Sequence, residues 1–385
     1  MRIHGFRRCV SFLTVTFLLM CLPLGVGRAE TALVDLSGVK TAFIAEATSG
    51  QLVMEKNSSE KVNVAGLTRL PALLLVCELV DEGALEPSTE VTVSEAAAAV
   101  KGPTAFVEAY EKIAAGELLK AAIMIGAGDA IYALAEAATG SSGAFAEQMN
   151  ERLAELGVSA TYTNITGDGV LLSAADLAAI GREIIRSATF RNYATVYMDE
   201  IVHENGSATE LVNSNRMIRN STGCGGVGTG SSDAAGYCGV FWVLRGDTGY
   251  ICVVTGAQNS SERFTTAQAM VEYAFGAYKT VTLSKTGQIL VENVPVKGGA
   301  EMFVSLAARN DNVLLLKQNE EYQEKRNVPE TLYAPLLQTD VVGTLEYTDG
   351  DGNLIALVEL VPHKEIAQAG LSDFIRMLFL SFLHA

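Results

Sequence analysis

Gly223-Cys224-Gly225-Gly226-Val227-Gly228-Thr229-Gly230 places five glycines in eight residues, and the way it is read decides the fold. Its first six residues fit G-x-G-x-x-G, the pattern of a loop that closes on a pyrophosphate. That loop works only between a parallel strand and the helix whose N-terminus receives the phosphate. Here the glycines run instead into a polar turn, Ser231-Ser232-Asp233, and from Val227 to Ala257 short β-rich runs alternate with glycine-containing turns such as Gly246-Asp247. That texture is antiparallel sheet, so the phosphate-loop match is accidental.

Working outward, residues 40–55 read as two strands joined at Ser49-Gly50. Gly66 to about Val80 has helical apolar spacing. Glu95 to Ala138 is alanine-rich and helical in pieces, and Ser142 to Leu156 is a further helix stopping at Gly157. Ser173 to Ser187 is an amphipathic helix, with Ser173 as N-cap and Asp176 completing a capping-box variant. Phe264 to Tyr278 returns to helix. Strands, many helices, strands and a helix in that order predict an α+β fold with helices packed on an antiparallel sheet. Residues 279–361 hold short strands and turn signals without a helical pattern, as in a small all-β, sandwich-like domain. Residues 362–385 end in an apolar helix from Gly370, too short to span a bilayer. Membrane-interface contact is favoured for it over docking on the protein.

Residues 1–29 read as a secretory signal peptide: Arg2, Arg7 and Arg8 precede an apolar run, and small residues lead to a cut after Ala29. Its removal takes four arginines and leaves 24 basic against 44 acidic side chains. So acidic a surface argues against nucleic acid or anionic lipid as a partner bound by charge. Of the six cysteines, Cys77, Cys224, Cys238 and Cys252 remain. Export permits disulfides, and one pair among the last three is open to bridging. Their spacing offers no metal site, and no metal or cofactor is expected.

Glu46 to Asn57, Phe145 to Gly157, Thr163-Asn164-Ile165-Thr166-Gly167, Asn213-Ser214-Asn215-Arg216-Met217 and Ala235-Gly236-Tyr237-Cys238 are separate landmarks. In their order and spacing the chain resembles the exported serine D-alanyl-D-alanine carboxypeptidases, the low-molecular-weight penicillin-binding proteins. The likeness covers about residues 38–278, and the β domain and terminal helix resemble that family's usual tail. It implies a transpeptidase domain of penicillin-binding-protein and β-lactamase type over residues 30–278, peptidoglycan stem peptides or a cell-wall protein as partner, and a place on the outer face of the cell membrane or in the cell envelope.

The resemblance also implies where three catalytic motifs stand. The S-x-x-K position, whose serine attacks and whose lysine takes the proton, reads Gly66-Leu67-Thr68-Arg69. Glycine has no nucleophilic atom, and arginine stays protonated. The S-x-N position reads Gly126-Ala127-Gly128. The K-T-G position, which recognises the substrate carboxylate, reads Gly228-Thr229-Gly230. No catalytic residue is therefore intact. The expectation is a cleft widened by Gly66, Gly126, Gly128 and Gly228, with Thr229, Gly230, Ser231 and Arg69 left to bind substrate and Arg69 as its one placeable cation. Backbone N–H groups of Gly66 and Ser231 remain as oxyanion donors.

Replacement nucleophiles fare poorly. Thr68 lies two residues from the lost serine, turned ~200° away on a helix. Ser231, Ser232 and Asp233 read as a hairpin turn. His203, His363 and His384 read as exposed, and Glu46 and Asp168-Gly169 as strand-end and turn residues. The fold and its partners are thus expected to be kept and the hydrolysis lost, the alternative being an active hydrolase with an unrecognised nucleophile.

Overall fold

The computed structural model describes residues 34–373 and Ile375. The export segment lies outside these residues, as does most of the expected terminal helix, of which residues 371–373 and Ile375 are described and helical. Among the described residues no helix is long and apolar enough to cross a membrane.

Five antiparallel strands form the central sheet, in the order Leu52–Lys56, Thr41–Glu46, Thr248–Ala257, Gly236–Arg245 and Cys224–Ser232. The middle strand is buried almost throughout, because both faces of the sheet are covered. Ile251 and Val253 pack on one side against the helices Leu70–Asp81, Ala115–Ile125, Gly128–Thr139 and Ala174–Ile184. Tyr250, Cys252 and Val254 point the other way, onto the helix Ser260–Ala277 through Ala267, Met270 and Val271. The period-two alternation of a strand sends successive side chains to opposite faces, so two cores share one sheet.

Beyond Tyr278 the chain forms a six-stranded sheet, running from Gln323–Asn327 at one edge to Leu332–Tyr333 at the other. Its core holds Val304, Leu306, Leu345, Val358 and Leu360. The strand pair Tyr278–Ser284 and Asn312–Lys317 joins it to the first part, where the Leu315 N–H donates to Gln51 Oε1 at 2.6 Å.

The structure corrects several expectations. The stretch 95–138 is not helical pieces throughout: Lys112–Ala114 is a strand paired with Glu90–Thr92, and residues 99–111 form a loop. Ser231 and Ser232 complete the strand Cys224–Ser232, and the turn lies one step later, at residues 233–235. His203 is buried, with one ring nitrogen 2.8 Å from Glu111 Oε1 and the other 2.8 Å from Thr209 Oγ1, partners that satisfy a buried imidazole. His363 is exposed, as expected, and His384 lies outside the described residues. All four described cysteines are free and buried, and burial raises every one of their thiol pKa values. Cys238 faces the opposite core from Cys224 and Cys252. Those two stand on strands separated by a third, roughly 9–10 Å apart and beyond disulfide reach.

Candidate functional site

The cleft lies where the edge strand Cys224–Ser232 meets a short 3-10 turn, Ala65–Arg69, which leads into the helix Leu70–Asp81. Asn63 Oδ1 accepts the Ala65 N–H at 2.9 Å and sets the turn. The approach of turn to strand is close: a Cβ on Gly230 would stand 3.0 Å from Gly66 N. A side chain there would crowd the backbone of the turn, with Leu67 N and Val64 O also at 3.3 Å, so Gly230 eases the close approach of the two segments. Nearby, Asn164 gathers the Thr166 hydroxyl and the Gly167 N–H on its Oδ1. The Thr68 hydroxyl donates to Thr166 O at 2.8 Å and ties the 3-10 turn to that loop. Thr68 is thus committed to an anchoring bond and does not line the cleft.

The cleft encloses about 490 Å³. Gly66, Arg69, Gly126, Thr229, Gly230 and Ser231 all line it, so the structure brings together most of the positions singled out in the sequence. Gly228 lines a crevice of about 30 Å³ adjoining it, walled by Leu67, Leu70, Leu73, Ile123 and Val227. Gly128 lines neither, for a steric reason. A Cβ there would stand 2.7 Å from Arg69 Cζ and 2.7 Å from Val100 Cγ1. The Arg69 side chain fills that space, its Nη1 donating to Gly126 O at 3.2 Å and its Nη2 to Lys101 O at 2.6 Å. Burial lowers the Arg69 pKa, with Asp168 and Asp129 opposing, and a guanidinium so placed remains a cation rather than a base. At Gly66, the position expected from sequence to match the family's serine, a Cβ would meet nothing within 4 Å.

Contrary to the expectation from sequence, Arg69 is not the sole cation of the cleft. Arg216 and Arg263 also line it. Arg263, on the helix Ser260–Ala277, donates through Nη1 to Cys238 O at 3.1 Å and Gly230 O at 3.3 Å, while its Nε is buried without a partner among the described residues. Burial lowers its pKa to about 10, and Arg216 adds repulsion. It is therefore charged at neutral pH. Arg216 is placed by an asparagine ladder: Asn213 Oδ1 accepts the Asn215 N–H and Asn215 Oδ1 accepts the Met217 N–H. The same ladder presents Ser214, whose Oγ accepts the Thr229 hydroxyl at 3.0 Å. Sequence reasoning assigned no role to Arg216, Ser214 or Arg263. The first two sit inside a quoted landmark, but nothing in the local pattern distinguishes Arg263 from an exposed helical arginine.

Chemically, the described lining offers guanidiniums, hydroxyls and backbone groups. It includes no lysine, histidine or carboxylate. Within that lining the hydroxyls of Ser214, Thr229, Ser231 and Ser260 have no proton acceptor of the kind that activates a nucleophile.

Comparison with known proteins gives a consistent result. The family model described as D-alanyl-D-alanine carboxypeptidase matches residues 30–259, and the one described as the penicillin-binding protein 5 C-terminal domain matches residues 278–368. The chain is 30% identical over 344 residues to the D-alanyl-D-alanine carboxypeptidase DacF of Bacillus subtilis, covering 88% of each. It is 26% identical over 348 residues to DacA of Escherichia coli, covering 86% of this chain and 85% of that one. Among solved structures, penicillin binding protein 5 from Haemophilus influenzae superposes with a TM-score of 0.74 at 22% identity, covering 86% of this chain and 98% of that one.

Proposed function

The chain belongs to the D-alanyl-D-alanine carboxypeptidase family, and from that premise we propose that this member binds carboxylate-ended peptidoglycan peptides without cleaving them. The family acts on peptidoglycan outside the cytoplasm, and the expected export segment fits that location. The observation that carries the reading is the open space at Gly66, beside an Arg69 held on two backbone carbonyls. With no oxygen to acylate and no base one turn on, the serine mechanism has neither of its first two groups.

Binding is better provided for. Arg216 and Arg263 supply positive charge, Thr229 and Ser231 supply hydroxyls, and Cys224–Ser232 is an edge strand to which an extended peptide can add by backbone pairing. A cell-wall protein presenting such a peptide would dock in the same way. The alternative, an active hydrolase using an unrecognised nucleophile such as a cleft hydroxyl, finds no lysine, histidine or carboxylate among the described lining residues to act as its base.

The test is to incubate the purified mature chain with a peptide ending in D-Ala-D-Ala, measure released D-alanine, and follow binding by calorimetry. Binding without release is expected, together with no covalent adduct from a fluorescent penicillin. Release of D-alanine or an adduct would overturn the inactive reading. Absence of binding would overturn the peptide reading.

A further inference from the structure

A second cleft, of about 570 Å³, lies between the helices of the first part and the β domain. Three arginines line it: Arg182 on the helix Ala174–Ile184, Arg186 just beyond that helix, and Arg191 on the helix Ala188–Ala194. In a chain of formal net charge −16, three guanidiniums against the two carboxylates of Asp247 and Asp311 give this lining a small positive excess. Arg182 is fixed by Ala47 O at 2.9 Å and Thr48 O at 2.6 Å. Among the described residues, neither Arg182 nor Arg191 has a carboxylate at ion-pair distance, whereas Arg186 pairs with Glu183. Burial, then the neighbouring Arg186, lowers the Arg182 pKa against the pull of Glu46 and Glu183, as befits a cation short of counter-charge.

The remaining lining is not that of a simple anion hole. Trp242, the chain's single tryptophan, contributes an aromatic ring. Gly225 makes room for it: a Cβ there would stand 2.5 Å from Trp242 Cε3. Asp247, Asp311 and Asn310 add acceptors. Asp311 is oriented by the Thr286 N–H and hydroxyl, at 2.7 and 2.9 Å. Carboxylates repel a bare anion but accept hydrogen bonds from hydroxyls, and an aromatic ring offers an apolar surface to the faces of a sugar ring.

We propose that this cleft binds an acidic saccharide unit, a sugar ring bearing a carboxylate or phosphate, with the arginines on the anionic group and Trp242 with the acidic side chains on the ring. It goes beyond the peptide-binding reading and does not depend on it.

Because the chain has one tryptophan, its emission reports on this cleft directly. The mature protein is titrated with glucuronic acid, glucose 6-phosphate, glucose and inorganic phosphate, with calorimetry on the same samples to register binding that leaves the indole undisturbed. Saturable binding of one or both acidic sugars, stronger than that of glucose or phosphate, is expected, and comparison of the two separates carboxylate from phosphate recognition. Arg191→Glu should weaken it on the order of tenfold or more, as loss of a charge-assisted contact does, and Arg186→Glu provides a second variant on an exposed side chain. No binding of either acidic sugar, equal binding of glucose, equal binding of inorganic phosphate, or unchanged affinity in both variants would overturn the proposal.

Discussion

At the scale of single residues, positions 69 and 128 are coupled rather than independent. Arg69 occupies the volume that a side chain at position 128 would need, so glycine at 128 is the counterpart of arginine at 69. Gly128→Asn should therefore destabilise the protein by about 1–3 kcal/mol, the usual cost of overpacking. The penalty should shrink in an Arg69→Ala background, which urea denaturation of the single and double variants would measure; equal penalties in both backgrounds would refute the coupling. The glycine-rich stretch divides in a similar way. A Cβ at 225 meets the Trp242 ring at 2.5 Å, whereas one at 228 meets Leu67 and Leu70 at an ordinary 3.5 Å. Gly225→Ala is expected to cost about 1–3 kcal/mol and Gly228→Ala less than about 1 kcal/mol, read from denaturation midpoints. The first glycine is required by packing and the second is not, a distinction that sequence alone could not draw because the ring that Gly225 accommodates comes from the neighbouring strand.

At the scale of elements, what was legible depended on how local the signal is. The capping box of the helix Ala174–Ile184 was readable because Ser173 and Asp176 stand one turn apart, and both of its bonds are present. The strand Lys112–Ala114 was not, since its partner Glu90–Thr92 lies across an intervening helix and loop and neither is long enough to show a period. A third case joins elements: Asp81, at the end of the helix Leu70–Asp81, accepts the N–H groups of Ala188 and Thr189 and the Thr189 hydroxyl, and so caps the helix Ala188–Ala194 from outside. Burial alone would raise the Asp81 pKa, but hydrogen bonds from Ser187, Thr189 and Ala188 outweigh it and hold the carboxyl below its ordinary value. A carboxylate with a depressed folded-state pKa stabilises above its unfolded pKa, and that stability is lost as pH falls through the folded value. Asp81→Asn should thus cost about 1 kcal/mol at neutral pH, and the gap to the parent should narrow only below about pH 4. A constant gap across that range in thermal melts would show that the charge is not what matters.

At the scale of the whole molecule, the family fold is present with Gly66, Arg69 and Gly126 lining its cleft, because the two cores flanking the central sheet draw little from those positions. A Cβ at Gly66 would meet nothing within 4 Å and would border the cleft, one at Gly126 would also be free of contact though its φ of +67° favours glycine, and one at Gly228 would enter the small crevice at ordinary contact with Leu67 and Leu70. Most landmark residues are packing and turn residues, although Asn213, Ser214, Arg216 and Tyr237 among them also line the cleft, whereas Arg263 reaches it only through tertiary structure. The overall charge then shapes how a ligand arrives. A chain of net charge −16 repels an anionic peptide at long range, while Arg216 and Arg263 attract it at contact. Salt screens the distant repulsion first, since the Debye length falls from about 30 Å at 0.01 M to about 8 Å at 0.15 M. Association with a free-acid peptide should therefore accelerate as salt rises over that range, the reverse of electrostatically steered binding, while dissociation also quickens as the short-range attraction weakens. Stopped-flow kinetics at a series of salt concentrations would measure both rates. An amidated peptide, lacking the terminal charge, should show a flatter salt dependence of association, and an association rate that falls with salt for the free acid would mean that the local arginine field outreaches the acidic surface.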